Sequence, residues 1–229
     1  MADLWYLSPS RQTENIGLGD YGSEQTQMCL LMDAITPHLD RCGVSFHVAD
    51  KELTLQQRRD EANAMDAVWY FALHSNAGGG GSACGPVAFF GVAKDFAEKL
   101  ITELLATGQN NNRASNVVQN TGLYEVGQPR AKSCLLEVDF HDSQTGVDFI
   151  VNRRDDAAKA IAKAIVETDG KKWVTTEEDG ASGWAKIFTE EAKRLGLFTG
   201  DGSSGFRWQD YLTREEAAAV LIRLKNILT

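Results

Sequence analysis

The chain has 229 residues, 43% of them hydrophobic, and a net charge of -9 from 32 acidic against 23 basic side chains. That apolar content suits a packed core and excludes a disordered polymer. The acidic excess excludes unselective nucleic-acid binding, which needs cations to displace counterions from phosphates.

The length suits one medium domain plus a small appendage. Cys29, Cys42, Cys84 and Cys134 are irregularly spaced with no CxxC pair, so neither a zinc ribbon nor a thioredoxin-type site is indicated. Free thiols of this kind suit a reducing cytosol. The start Met1-Ala2-Asp3-Leu4 carries no positive region and no long apolar run, so no signal peptide is expected. No stretch reaches the roughly 18 apolar residues of a membrane span.

Leu4 to Leu7 reads as a short strand that ends at Ser8-Pro9-Ser10 and a polar loop through Gly22. Ser23 reads as an N-cap, and Met28, Leu31, Met32, Ile35 and Leu39 form the stripe of the helix behind it. Further strands are expected at Val44 to Val48, Val68 to Leu73, Pro86 to Val92 and Cys134 to Val138. Helices are expected at Leu53 to Met65, Phe96 to Leu105, Val147 to Val151 and Ala157 to Val166. Asn110 to Arg113 reads as an exposed loop and Gln128 to Lys132 as a connector. Strands alternating with helices over residues 1–168 predict an α/β domain with a mostly parallel central sheet flanked by helices. Residues 169–182 are polar, carry two glycines and read as a linker. Residues 183–229 are too few for a large core and read as a small helical module that packs or self-associates.

Three residues stand out chemically. His74 ends a buried strand in Phe71-Ala72-Leu73-His74-Ser75-Asn76-Ala77, just before Gly78 to Gly81, and such strand ends are where open α/β sheets place ligands. Glu24 opens a long amphipathic helix. Glu137 sits inside the apolar run Cys134-Leu135-Leu136-Glu137-Val138, where a carboxylate is costly unless paired, metal-bound or catalytic. A serine-hydrolase reading has no Gly-x-Ser-x-Gly elbow, and Cys84 has no helix start behind it.

Gly22-Ser23-Glu24, Leu73-His74-Ser75-Asn76-Ala77 and Leu136-Glu137-Val138-Asp139-Phe140 together resemble the zinc-dependent N-acetylmuramoyl-L-alanine amidases, the Amidase_3 family, over residues 4 to about 167. The resemblance implies that Glu24 and His74 are zinc ligands and that Glu137 is the catalytic glutamate. Where the family carries a loop histidine, this chain has Ser8-Pro9-Ser10-Arg11-Gln12. Arg11 has no lone pair to offer, whereas Gln12 can offer its side-chain carbonyl oxygen; Glu14, Asp20 and His141 are alternative donors. Asn76 and His141 are expected to line the substrate cleft.

The implied activity is zinc-assisted cleavage of the amide between N-acetylmuramic acid and L-alanine in peptidoglycan. An endolysin acting on the wall after release or host lysis is the expected setting. The rival readings are an inactive wall-binding protein and a metallopeptidase acting on another amide.

Ala185 to Gly205 with Leu212 to Ala217 resembles a single S-layer-homology motif, which implies a secondary cell-wall polymer as partner or a role in assembly. Thr213 and Glu216 are spaced as a capping box, and Ala217, Val220, Leu221 and Leu224 form the stripe behind it.

Overall fold

The computed structural model describes residues 3–78, 80–174, 185–198 and 213–228. The chain divides into two compact units, Met1–Trp173 and Val174–Thr229.

In the first unit six strands, β1 (Leu4–Pro9), β2 (Ser45–Val48), β3 (Trp69–Asn76), β4 (Val87–Phe90), β5 (Val117–Gln119) and β6 (Lys132–Phe140), form one sheet in the order β2-β1-β3-β6-β4-β5. β1, β2, β3 and β6 run parallel, while β4 pairs antiparallel with β6 and parallel with β5. The mostly parallel sheet expected from the alternating pattern is the one that forms.

Six helices flank it: α1 (Glu24–Arg41), α2 (Leu55–Ala64), α3 (Lys94–Ala106), α4 (Tyr124–Gly127), α5 (Gln144–Val147) and α6 (Arg154–Thr168). Ser23 caps α1 by accepting from the backbone N–H of Thr26, and Met28, Leu31, Met32, Ile35 and Leu39 are all buried. Thr54 and Gln57 close a reciprocal capping box at the start of α2.

Side chains alternate across the sheet, and this decides which residues meet. Trp5 and Leu7 of β1, Trp69, Phe71 and Leu73 of β3, and Leu136 and Val138 of β6 join the larger core with residues of α1, α3 and α6. Trp5 stacks on Trp69 with ring centres 4.8 Å apart, and Phe96 of α3 meets Trp5 edge-on at 5.0 Å. Tyr6, Tyr70, Ala72 and Leu135 occupy the opposite face with Ala62 of α2 and Val126 of α4. By the same alternation Ser8, His74 and Glu137 belong to this second face.

β1 has β2 on one side and β3 on the other. The chain therefore winds outward in both directions from β1, and the carboxyl ends of β1 and β3 border the crevice where open α/β sheets bind ligands.

Three expectations need correction. Residues 117–127 carry no element in the sequence reading, yet they form β5 and α4. The helix expected at Val147 to Val151 is instead the end of α5 followed by a π-helical turn, Asp148–Asn152. Residues 169–173, read as the start of a linker, are packed: Trp5 Nε1 donates to Asp169 Oδ1 at 2.9 Å, and Trp173 stacks on His38. The linker residues 175–182 lie outside the described residues.

In the second unit α7 (Lys186–Arg194) and α8 (Arg214–Leu228) are described. The expected capping box forms, with Glu216 N–H donating to Thr213 Oγ1 at 3.1 Å and Thr213 N–H donating to Glu216 Oε2 at 2.8 Å. Arg223 Nη1 donates to the carbonyl of Leu197 at 2.8 Å. Leu221 and Leu224 of the expected stripe are exposed, and Ala217 and Val220 are half-buried. The turn Gly200-Asp201-Gly202 lies outside the described residues. Among the described residues no helix is long and apolar enough to cross a membrane.

Candidate active site

His74 is the centre of a buried polar cluster at the end of β3, with 7% of its surface exposed. Its Nδ1 lies 2.9 Å from Glu24 Oε1 and its Nε2 lies 2.8 Å from Glu125 Oε2. Burial alone would lower the imidazole's pKa. The hydrogen bonds to Glu125 and Glu24 outweigh it and push the pKa up to about 10. Burial acts on both carboxyls in the opposite sense, and the same bonds to His74 hold them below their usual range.

The Nδ1 edge gathers side chains from two separate segments. Glu24 is delivered by the first turn of α1, where a carboxylate also complements the helix dipole. Gln12, from the loop after β1, places Nε2 at 3.4 Å from His74 Nδ1. Asn15 ties the two together, donating from Nδ2 to Gln12 Oε1 at 2.7 Å and to Glu24 Oε2 at 2.8 Å.

Glu137 faces the same space. It is paired in register with His74 across β3 and β6, so both side chains rise from the same face of the sheet. Glu137 Oε2 is buried with no hydrogen-bond partner among the described residues. Burial, with Glu24 and Glu125 nearby, pushes this carboxyl up to about 7 although His74 pulls the other way. A carboxyl held near neutrality with a free oxygen is suited to accept and return a proton.

The donors fit a divalent cation on the Nδ1 side. Two ligands on one tetrahedral zinc stand about 3.3 Å apart, given metal–ligand distances of about 2.0 to 2.1 Å. Glu24 Oε1 at 2.9 Å and the Gln12 amide at 3.4 Å from Nδ1 bracket that spacing. Charge points the same way. Glu24, Glu125 and Glu137 supply three carboxylates, and Arg58 supplies one guanidinium behind them through Ser8. With His74 charged as well, the acids still exceed the bases by one, an excess that favours a cation.

Among the described residues no three His, Cys, Asp or Glu side chains are arranged to hold a metal. The other polar side chain within reach of Nδ1 is the amide of Gln12. Its nitrogen end faces His74, so ligation by Oε1 requires the amide to turn end for end and give up the bond from Asn15 Nδ2.

The remaining sequence-derived residues are placed differently. Asn76 is half-buried, and its Oδ1 accepts from the N–H of Ala77 at 2.8 Å, turned onto its own backbone. His141, expected to line the cleft, is 3% exposed: its Nδ1 meets Ser75 Oγ at 2.9 Å, and its ring stacks on Tyr21. It braces the strand end from behind and is closed to a large substrate in this arrangement. Glu14 and Asp20, the alternative donors, are both exposed.

Glu125 was missed by the sequence reading. It is 4% exposed on the four-residue α4 and accepts from Ser8 Oγ at 2.6 Å and Tyr70 Oη at 3.0 Å, besides its contact with His74. Arg58, fully buried on α2, donates from Nη1 to Ser8 Oγ at 3.0 Å and to the carbonyl of Pro9 at 2.5 Å. The available signal was weak: an acidic residue in Leu123-Tyr124-Glu125-Val126, flanked by apolar side chains.

Residues 24–167 match the family model Amidase_3, described as N-acetylmuramoyl-L-alanine amidase. No curated protein matches the sequence. Among solved structures, the N-acetylmuramoyl-L-alanine amidase AmiC2 of Nostoc punctiforme is similar, with a TM-score of 0.65 at 16% identity over 73% of this chain and 97% of that one. The catalytic domain of CwlV, an N-acetylmuramoyl-L-alanine amidase from Bacillus (Paenibacillus) polymyxa var. colistinus, gives 0.63 at 15% over 74% and 99%. The catalytic domain of the CD27L endolysin, which targets Clostridia difficile, gives 0.58 at 15% over 73% and 98%. At these identities the likeness to solved structures is one of fold.

Proposed function

Because the chain belongs to the N-acetylmuramoyl-L-alanine amidase family, we propose that it is a zinc-dependent peptidoglycan hydrolase that cleaves the amide joining N-acetylmuramic acid to L-alanine. The observation that carries this reading is the convergence of Glu24, His74 and Gln12 beside the unpartnered Oε2 of Glu137. Zinc bound by those three side chains would supply Lewis acidity, polarising the scissile carbonyl and making water easier to deprotonate.

The chain's own residues do the rest. Glu137 takes a proton from the attacking water as the oxygen adds to the carbonyl carbon. The same carboxyl returns that proton to the departing nitrogen when the C–N bond breaks. The products are the lactyl carboxyl of the sugar, which keeps the second water proton until it ionises to solvent, and the free amine of L-alanine. Glu125 holds His74 from its Nε2 edge, which keeps the imidazole in one orientation during turnover.

Lysis of the wall as an endolysin, the role named for CD27L, belongs to the same proposal. So does wall targeting or assembly by the second unit, whose resemblance to an S-layer-homology motif points to a secondary cell-wall polymer as partner. The test is to digest purified peptidoglycan, identify newly freed N-terminal L-alanine by mass analysis, and measure bound zinc on the same preparation. About one zinc per chain with L-alanine release is expected, and His74→Ala should abolish both. Cleavage at another amide, or release of L-alanine by zinc-free protein, would overturn the reading.

A further inference from the structure

The two carboxylates on His74 are not equivalent. Glu24 lies on the Nδ1 edge with Gln12 and Asn15, where the donors are gathered. Glu125 lies alone on the Nε2 edge, and its other oxygen is already engaged by Ser8 and Tyr70. An imidazole uses one nitrogen for a cation and leaves the other as N–H, and the partner of that N–H decides which is which.

We propose that Glu125 is a positioning residue that holds the proton on His74 Nε2 and so commits Nδ1 to the zinc. This rests on the zinc reading above and deepens it. Glu125 is unusually fixed for the task. It accepts hydrogen bonds from Ser8 Oγ, Tyr70 Oη and His74, and Ser8 Oγ in turn accepts from the fully buried Arg58. Arg58 Nη1 also donates to the Pro9 carbonyl, and Nη2 donates to the Asp50 carbonyl at 3.1 Å. One buried cation thus anchors both Glu125 and the end of β1, from which the Gln12 loop departs. Ring orientation and loop position are set by the same residue.

Both ring nitrogens of His74 lie within hydrogen-bond distance of a carboxylate, Nδ1 of Glu24 and Nε2 of Glu125. A zinc ion held by Nδ1 would leave the Nε2–H···Glu125 bond in place. Glu125 would then stand outside the ligand set, as the carboxylate that orients the ligating histidine.

The test uses the full chain labelled with nitrogen-15 on histidine, loaded with zinc, and read by long-range proton–nitrogen correlation. Wild type should show His74 with a metal-bound Nδ1 and a slowly exchanging Nε2–H. Zinc affinity, from competition with a chelator, should fall about 10- to 100-fold in Glu125→Gln. Tyr70→Phe removes one donor to Glu125 and should give a smaller fall in the same direction, with the His74 Nε2–H exchanging faster.

Zinc on Nε2 in the wild-type spectrum would overturn the inference without recourse to any variant. So would Glu125→Gln binding zinc as tightly as wild type. Wild-type protein that binds no zinc would instead remove the zinc reading, and this inference with it. The two failures are therefore distinct.

Discussion

Glu137→Gln replaces a half-buried carboxyl by a neutral amide of nearly the same size, so its effect on stability reports the cost of a charge at that point. In the folded metal-free protein this carboxyl is pushed from 4.5 up to about 7, with burial the largest cause and Glu24 and Glu125 adding to it. The sign follows from which state binds protons more tightly. A raised folded pKa means the folded state holds the proton better. The penalty is therefore absent below about 4.5, grows between the two values, and is complete above about 7. A difference of about 2.5 pKa units amounts to on the order of 3 kcal/mol at pH 8 and less than about 1 kcal/mol at pH 5. Both figures are upper bounds, because Glu137 is only partly shielded from water.

Urea unfolding of chelator-treated wild type and Glu137→Gln at the two pH values checks this, since titrations uncoupled from Glu137 cancel in the difference. The variant should be the more stable protein at pH 8 and nearly equal at pH 5. Loaded with zinc it should keep the metal but lose on the order of 10²-fold or more in hydrolysis rate. A residue whose removal strengthens the fold while stopping the reaction is there for chemistry. If the variant were destabilised at pH 8, or shifted equally at both pH values, Glu137 would have a folded-state partner, and its role as proton carrier would fall.

Three further outcomes are expected. Gln12→Ala should weaken zinc binding and Gln12→His should keep or tighten it, because imidazole is the stronger donor for zinc; unchanged affinity in Gln12→Ala, by chelator competition, would remove Gln12 from the site. Gly127→Ala should destabilise by about 1 to 3 kcal/mol and lower zinc affinity, because a Cβ there would run into the carbonyl oxygen of Thr121 and push α4, with Glu125, off the sheet; wild-type melting and zinc affinity would show that α4 accommodates the group. A chain ending at Val174, which keeps Asp169 and Trp173 on the first unit, should cleave a soluble muropeptide at the full-length rate yet sediment less with intact walls; loss of cleavage in a folded truncation would make the second unit part of the catalytic machinery.

The elements legible in the sequence were those whose burial is one-sided or continuous. β3 is an unbroken run of buried residues from Trp69 to Ser75, and α1 repeats apolar residues at helical spacing behind a serine cap. His74 and Glu137 were visible because each is a polar residue in an apolar strand, and Glu24 because it opens a long amphipathic helix in a segment that carries the resemblance. β5 and α4 have three and four residues, too short for any period to register. Arg58 was hidden differently. It lies in Leu55-Gln56-Gln57-Arg58-Arg59-Asp60, a polar stretch that reads as solvated, and only the turn of α2 carries it under the sheet while Arg59 remains at the surface. His141 was misjudged because proximity in sequence to Glu137 says nothing about which side of the strand end it occupies.

The constellation depends on strand register more than on any one contact. Ser8, Tyr70, His74 and Glu137 come from three strands and share one face because β1, β3 and β6 run parallel, with Ser8 opposite Ala72 and His74 opposite Glu137. A one-residue slip of β3 would bring Ser75 to this face and send His74 into the apolar core, so the packing of Trp69, Phe71 and Leu73 is also what aims the histidine. The pairing is regular up to His74 and Glu137 and breaks immediately afterwards, where β6 advances from Glu137 to Phe140 while β3 advances from His74 to Asn76. Irregularities of this kind re-aim side chains at the ends of pairing. Here the break turns Asp139 away to accept from the Gly85 and Phe140 N–H groups and from Gln109 Nε2, which pins the loop before β4. The regular part of the ladder thus places His74 beside Glu137, and the irregular part fixes the loop before β4.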